Sequence, residues 1–533
     1  MANIPISKIG ERGVISDIPG HEMSPAAWSR VQNVRFIDGY AMRSKGEATV
    51  EGTPPIVPNY IFPAPTIGSL YWLYTDLARV YAVLSGTHTE VTRLSGNYTG
   101  TLDNKWTDAW LNGIMVLNNG VDMPQVWNPM SSATRLIDLP NFSEPGVTTL
   151  RAKVIRPFGN FLIALHITKD SAEYPTMVKW SDRTDPGAVP GSWDASDPTT
   201  ASGEVSRSNT SGFLVDCLPL RAVNMIYKQD AMIRMEEVRG NQIFSFKDIS
   251  TSTGLMAIGC VAEFQPGQHV LLTQERDVVV HNGQDIRSIA DGRVRRYLQD
   301  NIDSTNYERS FVVVNYAARE VWICYPKSGA TYCNEAAVWS WDEDTWAFRD
   351  LSDTVSIRSG LYESSAVNDA WSAQTENWNE IVRTWGQRLF IAGSSQMVGA
   401  FVSDNQIRRV DDGMRRGVTA YTSLLEHLDL ALVGVDREGR IRVDPMKNKL
   451  VTELWPSIEA PSGTTFQIRV GSRRTREQAV EWQGPQTFDP NVDQFLNWTV
   501  DGQFISVRFE SSSETDWKFY GYSMEIVDNG RYY

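Results

Sequence analysis

At 533 residues the chain exceeds one ordinary domain and is expected to hold two or three. Apolar residues make up 41% and charged residues 21%, which supplies a core and excludes wholesale disorder. A net charge of −14 counts against a protein that grips a phosphate backbone, because that affinity comes from Lys and Arg displacing counterions.

The first residues, MANIPISKIGERG, lack the apolar core of a secretory signal, so folding in a cytoplasm is expected. Val34-Arg35-Phe36-Ile37 and Tyr40-Ala41-Met42-Arg43 are short β runs flanking Asp38-Gly39. Asp-Gly suits a type I′ hairpin, in which both central residues need positive φ. Val34 and Phe36 then share one face and Arg35 takes the other.

From 66 to 403 one local grammar recurs: a strand, a polar turn, then a strand ending in an aromatic, Asp or Asn. Leu70–Tyr74 with Arg79–Leu84, Trp110–Gly120, Arg156–Leu165, Phe311–Tyr316 and Glu320–Pro326 are examples. Propeller blades that have lost mutual identity read this way, at about 40–50 residues each, which gives room for six or seven blades, or fewer with insertions. Residues 183–216, rich in Gly, Pro, Ser, Asp and Thr, read as a long exposed loop. A break follows at 404–418, where Arg408, Arg409, Arg415 and Arg416 mix with Asp411 and Asp412. Beyond it, Gln467–Gly471, Phe504–Glu510 and Gly521–Val527 alternate apolar with polar, the half-buried pattern of an antiparallel sandwich. Eighteen Trp, nineteen Tyr and nineteen Phe favour pleated sheet. The fold class is therefore mostly β: an N-terminal arm and hairpin over 1–65, a β-propeller-like body over 66–403, and a C-terminal antiparallel β-sandwich-like domain over 404–533.

Few motifs carry chemistry. Cys217, Cys260, Cys324 and Cys333 show no CxxC spacing and, with six scattered His, no zinc pattern, so free buried thiols and no metal are expected. Ser340-Trp341-Asp342-Glu343-Asp344-Thr345-Trp346 resembles the Asp box of sialidase-type propellers, one residue short, and even a true Asp box is a structural turn. Glu236-Glu237, Asp342 with Asp344, and Asp411-Asp412 read as solvated loop carboxylates rather than an acid/base pair. Arginines at 293, 295 and 296, at 408 and 409, and at 473, 474 and 476 read as salt-bridge formers. The chain shows no nucleophile elbow, HExxH helix, P-loop or dinucleotide fingerprint. No catalytic residue, cofactor or enzyme activity is expected.

One stretch says more. Gly13-Val14-Ile15-Ser16-Asp17-Ile18-Pro19 precedes Trp28, Asn33-Val34-Arg35-Phe36, Asp38-Gly39 and Arg43-Ser44-Lys45-Gly46. Over some 35 residues this resembles the N-terminal signature of the tail-tube, or nozzle, proteins of short-tailed bacteriophages, with Trp28, Asn33, Arg35, Phe36, Asp38 and Gly39 matching. The resemblance implies a propeller body and a virion protein, usually six copies in a ring below the head-to-tail adaptor. It also implies tail fibres or spikes on the outside, the host envelope at the distal end, and genomic DNA passing the lumen without tight binding. An acidic wall suits such a conduit. A carbohydrate-binding or carbohydrate-degrading propeller of a receptor-binding tail component is the alternative. A bacterial surface adhesin is a third reading, disfavoured by the missing signal.

Overall fold

The computed structural model describes residues 2–66, 69–238, 242–362, 395–438 and 440–531. Five four-stranded antiparallel sheets follow one another, over 60–90, 107–138, 150–206, 214–250 and 261–288. A sixth unit is built from Phe311–Asn315, Glu320–Tyr325, Cys333–Ser340 and the first half of Thr345–Leu361. The second half of that 17-residue strand opens a seventh unit. It pairs with Ser395–Phe401, which pairs with Gln406–Val410, which pairs with Glu47–Val50.

From blade two to blade seven the first strands of successive units pack side by side, Thr345–Leu361 lies against Tyr60–Thr66, and blades one and two share an apolar cluster that completes the circle. This is a β-propeller of seven blades among the described residues. Closure by Glu47–Val50, a strand from well upstream of the first blade, protects an edge that would otherwise invite pairing with another chain.

The structure corrects several expected boundaries. Blade one opens at Tyr60 and blade seven runs to Val410, so the propeller overruns 66–403 at both ends. The 404–418 break contains the strand Gln406–Val410. Its charges hide the period: Arg408 points inward to Glu47 Oε2 at 2.9 Å, while Arg409 faces Asp412 on the other side. Residues 183–216 are not one exposed loop either. Gly203–Ser206 is the outer strand of blade three, and Trp193 is fully buried, edge-on to Phe142 at 4.8 Å.

The C-terminal domain is two facing sheets. One contains Val34–Ile37, Tyr40–Arg43, Lys518–Arg531, Lys447–Glu459 and Leu496–Gly502, with Ala2–Ser7 paired to Lys518–Arg531. The other contains Arg30–Gln32, Ser423–Leu430, Phe504–Ser511, Phe466–Arg473 and Glu481–Phe488. Trp28, Leu425, Phe509, Phe519 and Met524 fill the space between them. The N-terminal 1–65 segment is thus no separate arm. Its apolar side chains need a cover, and the sandwich and blade seven supply it. A parallel bridge from Gln32 to Phe348 makes one sheet run from blade six into the sandwich.

Candidate functional site

Of the resembling N-terminal residues, Asn33, Arg35 and Asp38 bond across the seam between propeller and sandwich. Asp38 and Gly39 have φ of 50° and 79°, as a type I′ turn requires, and register runs from Val34 opposite Arg43 to Ile37 opposite Tyr40. The Asp38 amide donates to Glu343 Oε1 at 3.1 Å, in the turn after Ser340. Phe36 is buried, and the Trp28 indole donates to the Ile9 carbonyl at 2.8 Å.

Asn33 sits at φ 56°, a left-handed conformation that Asn tolerates better than most residues. Its amide donates to Asp350 Oδ2 and to the Thr422 carbonyl, both at 2.8 Å, and its oxygen accepts the Asp350 N–H at 3.0 Å. One side chain thereby ties blade six to the sandwich.

Arg35 forks onto Glu320, with Nε and Nη2 donating at 2.5 and 2.8 Å, and Nη2 also reaches Asp411 Oδ2 at 2.8 Å. Asp411 further accepts from Arg349 at 3.2 Å and Asn315 at 2.9 Å. The Arg349 guanidinium lies over the Trp322 ring at 4.3 Å, and the Trp322 indole donates to Glu320 at 3.1 Å. Two guanidinium groups and two carboxylates therefore neutralise one another in a buried cluster whose hydrogen bonds are made. Burial acts to raise Asp411, but Arg35 and Arg349 outweigh it and bring the carboxyl down to about 2. This overturns the expectation that Asp411 is a solvated loop residue.

A second constellation lies on the propeller axis. A cavity of about 440 Å³ is lined by residues from the first strands of all seven blades, which is what makes it axial. Pro63, Asp108, Arg156, Asp216, Val313 and Arg358 represent six of them. Arg156 is spent on carboxylates: Nε and Nη2 donate to Asp216 at 2.8 and 2.9 Å, and Nη1 reaches Asp108 at 3.3 Å. Asp216 also accepts the amides of Cys217 and Gly259, both at 2.9 Å. Although burial opposes it, Arg156 keeps the Asp216 carboxyl below its ordinary range. A smaller cavity of about 50 Å³, lined by Lys105, His166, Ile258 and Arg309, lies where the same strands begin.

Blades four and five meet at a third buried group. The Tyr227 hydroxyl lies 2.6 Å from His269 Nδ1 and 2.8 Å from His281 Nε2. His281 Nδ1 accepts the Gly283 amide at 3.1 Å, and His269 Nε2 faces the Pro219 carbonyl at 3.0 Å. Those partners fix both tautomers: Tyr227 donates to His269 and accepts from His281, with both imidazoles neutral. Burial pushes them down to about 3 and about 4 respectively, the neighbouring ring adding to the effect at His269.

The other sequence candidates are structural. Ser340 to Trp346 is a hairpin turn whose Asp344 accepts the Trp339 indole at 3.1 Å and pairs with Arg293 at 2.7 Å. Glu236 and Glu237 lie on the strand Met232–Glu237, not in a loop, and pair with Arg234 and Arg183. All four cysteines are free and buried. Among the described residues no three His, Cys, Asp or Glu side chains gather to hold a metal ion. Sequence reasoning missed the axial cluster. Its signal was a lone charge in the first strand of several blades, as in Thr107-Asp108-Ala109 and Ile155-Arg156-Pro157.

No known family pattern matches this chain, and no curated protein does. Solved structures do. The β-propeller domain of Cps50 (Swd1) from Myceliophthora thermophila is 7% identical, with 68% of this chain and 98% of that one covered and a TM-score of 0.38. YCF48 from Cyanidioschyzon merolae is 10% identical, covering 69% and 98%, with a TM-score of 0.36. A fungal alcohol oxidase of the AA5 family, in complex with copper, is 8% identical, covering 92% and 97%, with a TM-score of 0.38. Likenesses this loose say nothing of what this chain binds or does. The blade topology itself defines the class: a propeller joined to a β-sandwich.

Proposed function

We propose that this chain is the tail-tube, or nozzle, subunit of a short-tailed phage, a structural virion protein without catalytic activity. One observation carries the reading. Asn33, Arg35 and Asp38, three of the six residues of the resemblance, bond across to the propeller, while Trp28 and Phe36 are buried in the adjoining apolar core and Gly39 turns the hairpin. A subunit that must hold its shape while pressurised DNA passes needs such a joint. A joint built from a buried four-charge cluster and a continuous sheet resists hinging, because each part would leave unpaired charges or hydrogen bonds if it moved.

Six copies at −14 apiece would repel DNA phosphate and keep the genome from sticking. A head-to-tail interface closes into a ring when the rotation between neighbours sums to a full turn. The partners on this reading are further copies of the chain, the head-to-tail adaptor, tail fibres or spikes, transiting DNA and, distally, the host envelope. The test is sedimentation of the purified chain with and without the adaptor. A discrete complex with six copies is expected; a chain that stays monomeric beside its adaptor would contradict the proposal.

The alternative, a carbohydrate-binding or carbohydrate-degrading propeller, draws on the axial cavity and its convergent charged groups. A glycan-array screen separates the two, since a conduit gives no glycan signal.

A further inference from the structure

Where blades four and five meet, strand ends and turns enclose a cleft of about 430 Å³. Arg221 and Ala222 form the turn between Leu214–Leu220 and Val223–Lys228, the first two strands of blade four. Gln268 follows the equivalent turn of blade five, and Gly283 and Gln284 belong to the turn between its third and outer strands. Arg234, on Met232–Glu237, completes the wall.

Arg221 is exposed and, among the described residues, makes no hydrogen bond or ion pair. It lies across the blade-five turn at Gly267, where a Cβ would collide with its Nε, so that turn sets the position of the guanidinium. Arg234 gives Nη2 to Glu236 at 2.8 Å and keeps Nη1 unspent among the described residues. Lys247, opposite Arg234 in the register, is exposed and adds positive charge nearby. Three carboxylates stand close, and none of them lines the cleft. Glu236 is engaged by Arg234, Glu263 accepts the Gly267 amide at 2.8 Å, and Asp285 accepts from Asn282 at 3.4 Å. The only charged groups on the lining are therefore two guanidiniums, a local reversal of field in a chain of net charge −14.

We propose that this cleft binds a phosphate or sulfate group, held by the free guanidinium of Arg221 and by Nη1 of Arg234. The planar fork of an arginine matches two oxygens of a tetrahedral oxyanion, whose remaining oxygens serve the second arginine. Gln268 and Gln284 add carboxamide N–H donors. The cleft is larger than a bare ion and leaves room for the body of an ester. The inference does not rest on the virion reading, because the cleft lies within one chain.

Isothermal titration of the full chain at pH 7 tests it, with ionic strength held by chloride and with inorganic phosphate, sulfate and glucose 6-phosphate as probes. Saturable binding of phosphate or sulfate is expected. Tighter binding of the sugar ester would assign the rest of the cleft to the ester's body, and equal binding would assign the oxyanion alone. Arg221→Asn keeps a residue that tolerates this turn's positive φ and should weaken binding at least about tenfold, the worth of one charged hydrogen bond, while melting as the unaltered chain does. Glu236→Gln releases Arg234 and should tighten binding by up to about fivefold, the worth of an exposed ion pair. No saturation by any probe at millimolar concentration, or binding that Arg221→Asn leaves unaltered, overturns the proposal. Binding that Glu236→Gln leaves unaltered or weakens would remove Arg234 and overturn the two-arginine site.

Discussion

Mild acid should destabilise this protein through three buried imidazoles. His269, His281 and His427 are held neutral, with values pushed down to about 3, 4 and 4, desolvation being the main cause in each. In the unfolded chain each titrates near 6.5. Between pH 7 and 5 the unfolded state therefore binds protons that the folded state refuses, so stability falls as pH falls. At pH 5 the unfolded side gains 1.5 pH units of protonation energy per imidazole, about 2 kcal/mol each and about 6 kcal/mol for the three.

That is a large part of the roughly 5–15 kcal/mol typical of a folded domain. The loss saturates once pH drops through the folded values near 3 and 4. Asp17 and Asp277, which burial raises, work in the opposite direction. Asp411 and Asp216, which are depressed, weaken folding only below the usual carboxylate range and are silent between pH 7 and 5. The assay is urea unfolding at pH 7, 6 and 5 at fixed ionic strength, in the unaltered chain and in a His269→Gln/His281→Gln variant. The variant should lose the larger part of the pH dependence, His427 and the likewise lowered His166 keeping the rest. A flat profile from pH 7 to 5, or an unchanged slope in the variant, would refute the reasoning.

Arg35→Ala should cost about 3–5 kcal/mol, because Glu320 loses both its guanidinium bonds and Asp411 loses one; calorimetry reads it. Trp28→Ala removes a fully buried indole between the two sandwich sheets and should cost about 3–5 kcal/mol in urea unfolding. Gly39→Val forces a β-branched residue to a φ of 79° and should destabilise by about 1–3 kcal/mol, with unaltered yield and melting as the contrary result. Cys217 and Cys260, which burial pushes up to about 12 and about 11, should resist a thiol reagent at pH 8 until the chain is unfolded.

What the sequence shows of this fold is what local chemistry controls. Asp38-Gly39 names its own turn, and the paired β runs name the blades, because φ preference and period-two burial act over a few residues. What it hides is set by distance. Blade seven draws strands from Glu47–Val50 and Gln406–Val410, and nothing in either segment points to the other. Asp411 looks solvated beside Asp412 because its partner Arg35 lies 376 positions away. Trp193 stands among turn residues, so its burial against Phe142 leaves no periodic trace. The axial charges read as ordinary outward residues of alternating strands. In a propeller the first strand of each blade faces the central axis, and a charge there looks like an outward residue in a one-dimensional pattern.

The most direct test of the virion reading is a three-dimensional reconstruction of the chain assembled with a head-to-tail adaptor. Six copies around a channel wider than a DNA duplex, its wall richer in Asp and Glu than in Lys and Arg, is the predicted result. A particle without a through-channel, or a predominantly basic lumen with tight, steeply salt-dependent DNA binding, would contradict it.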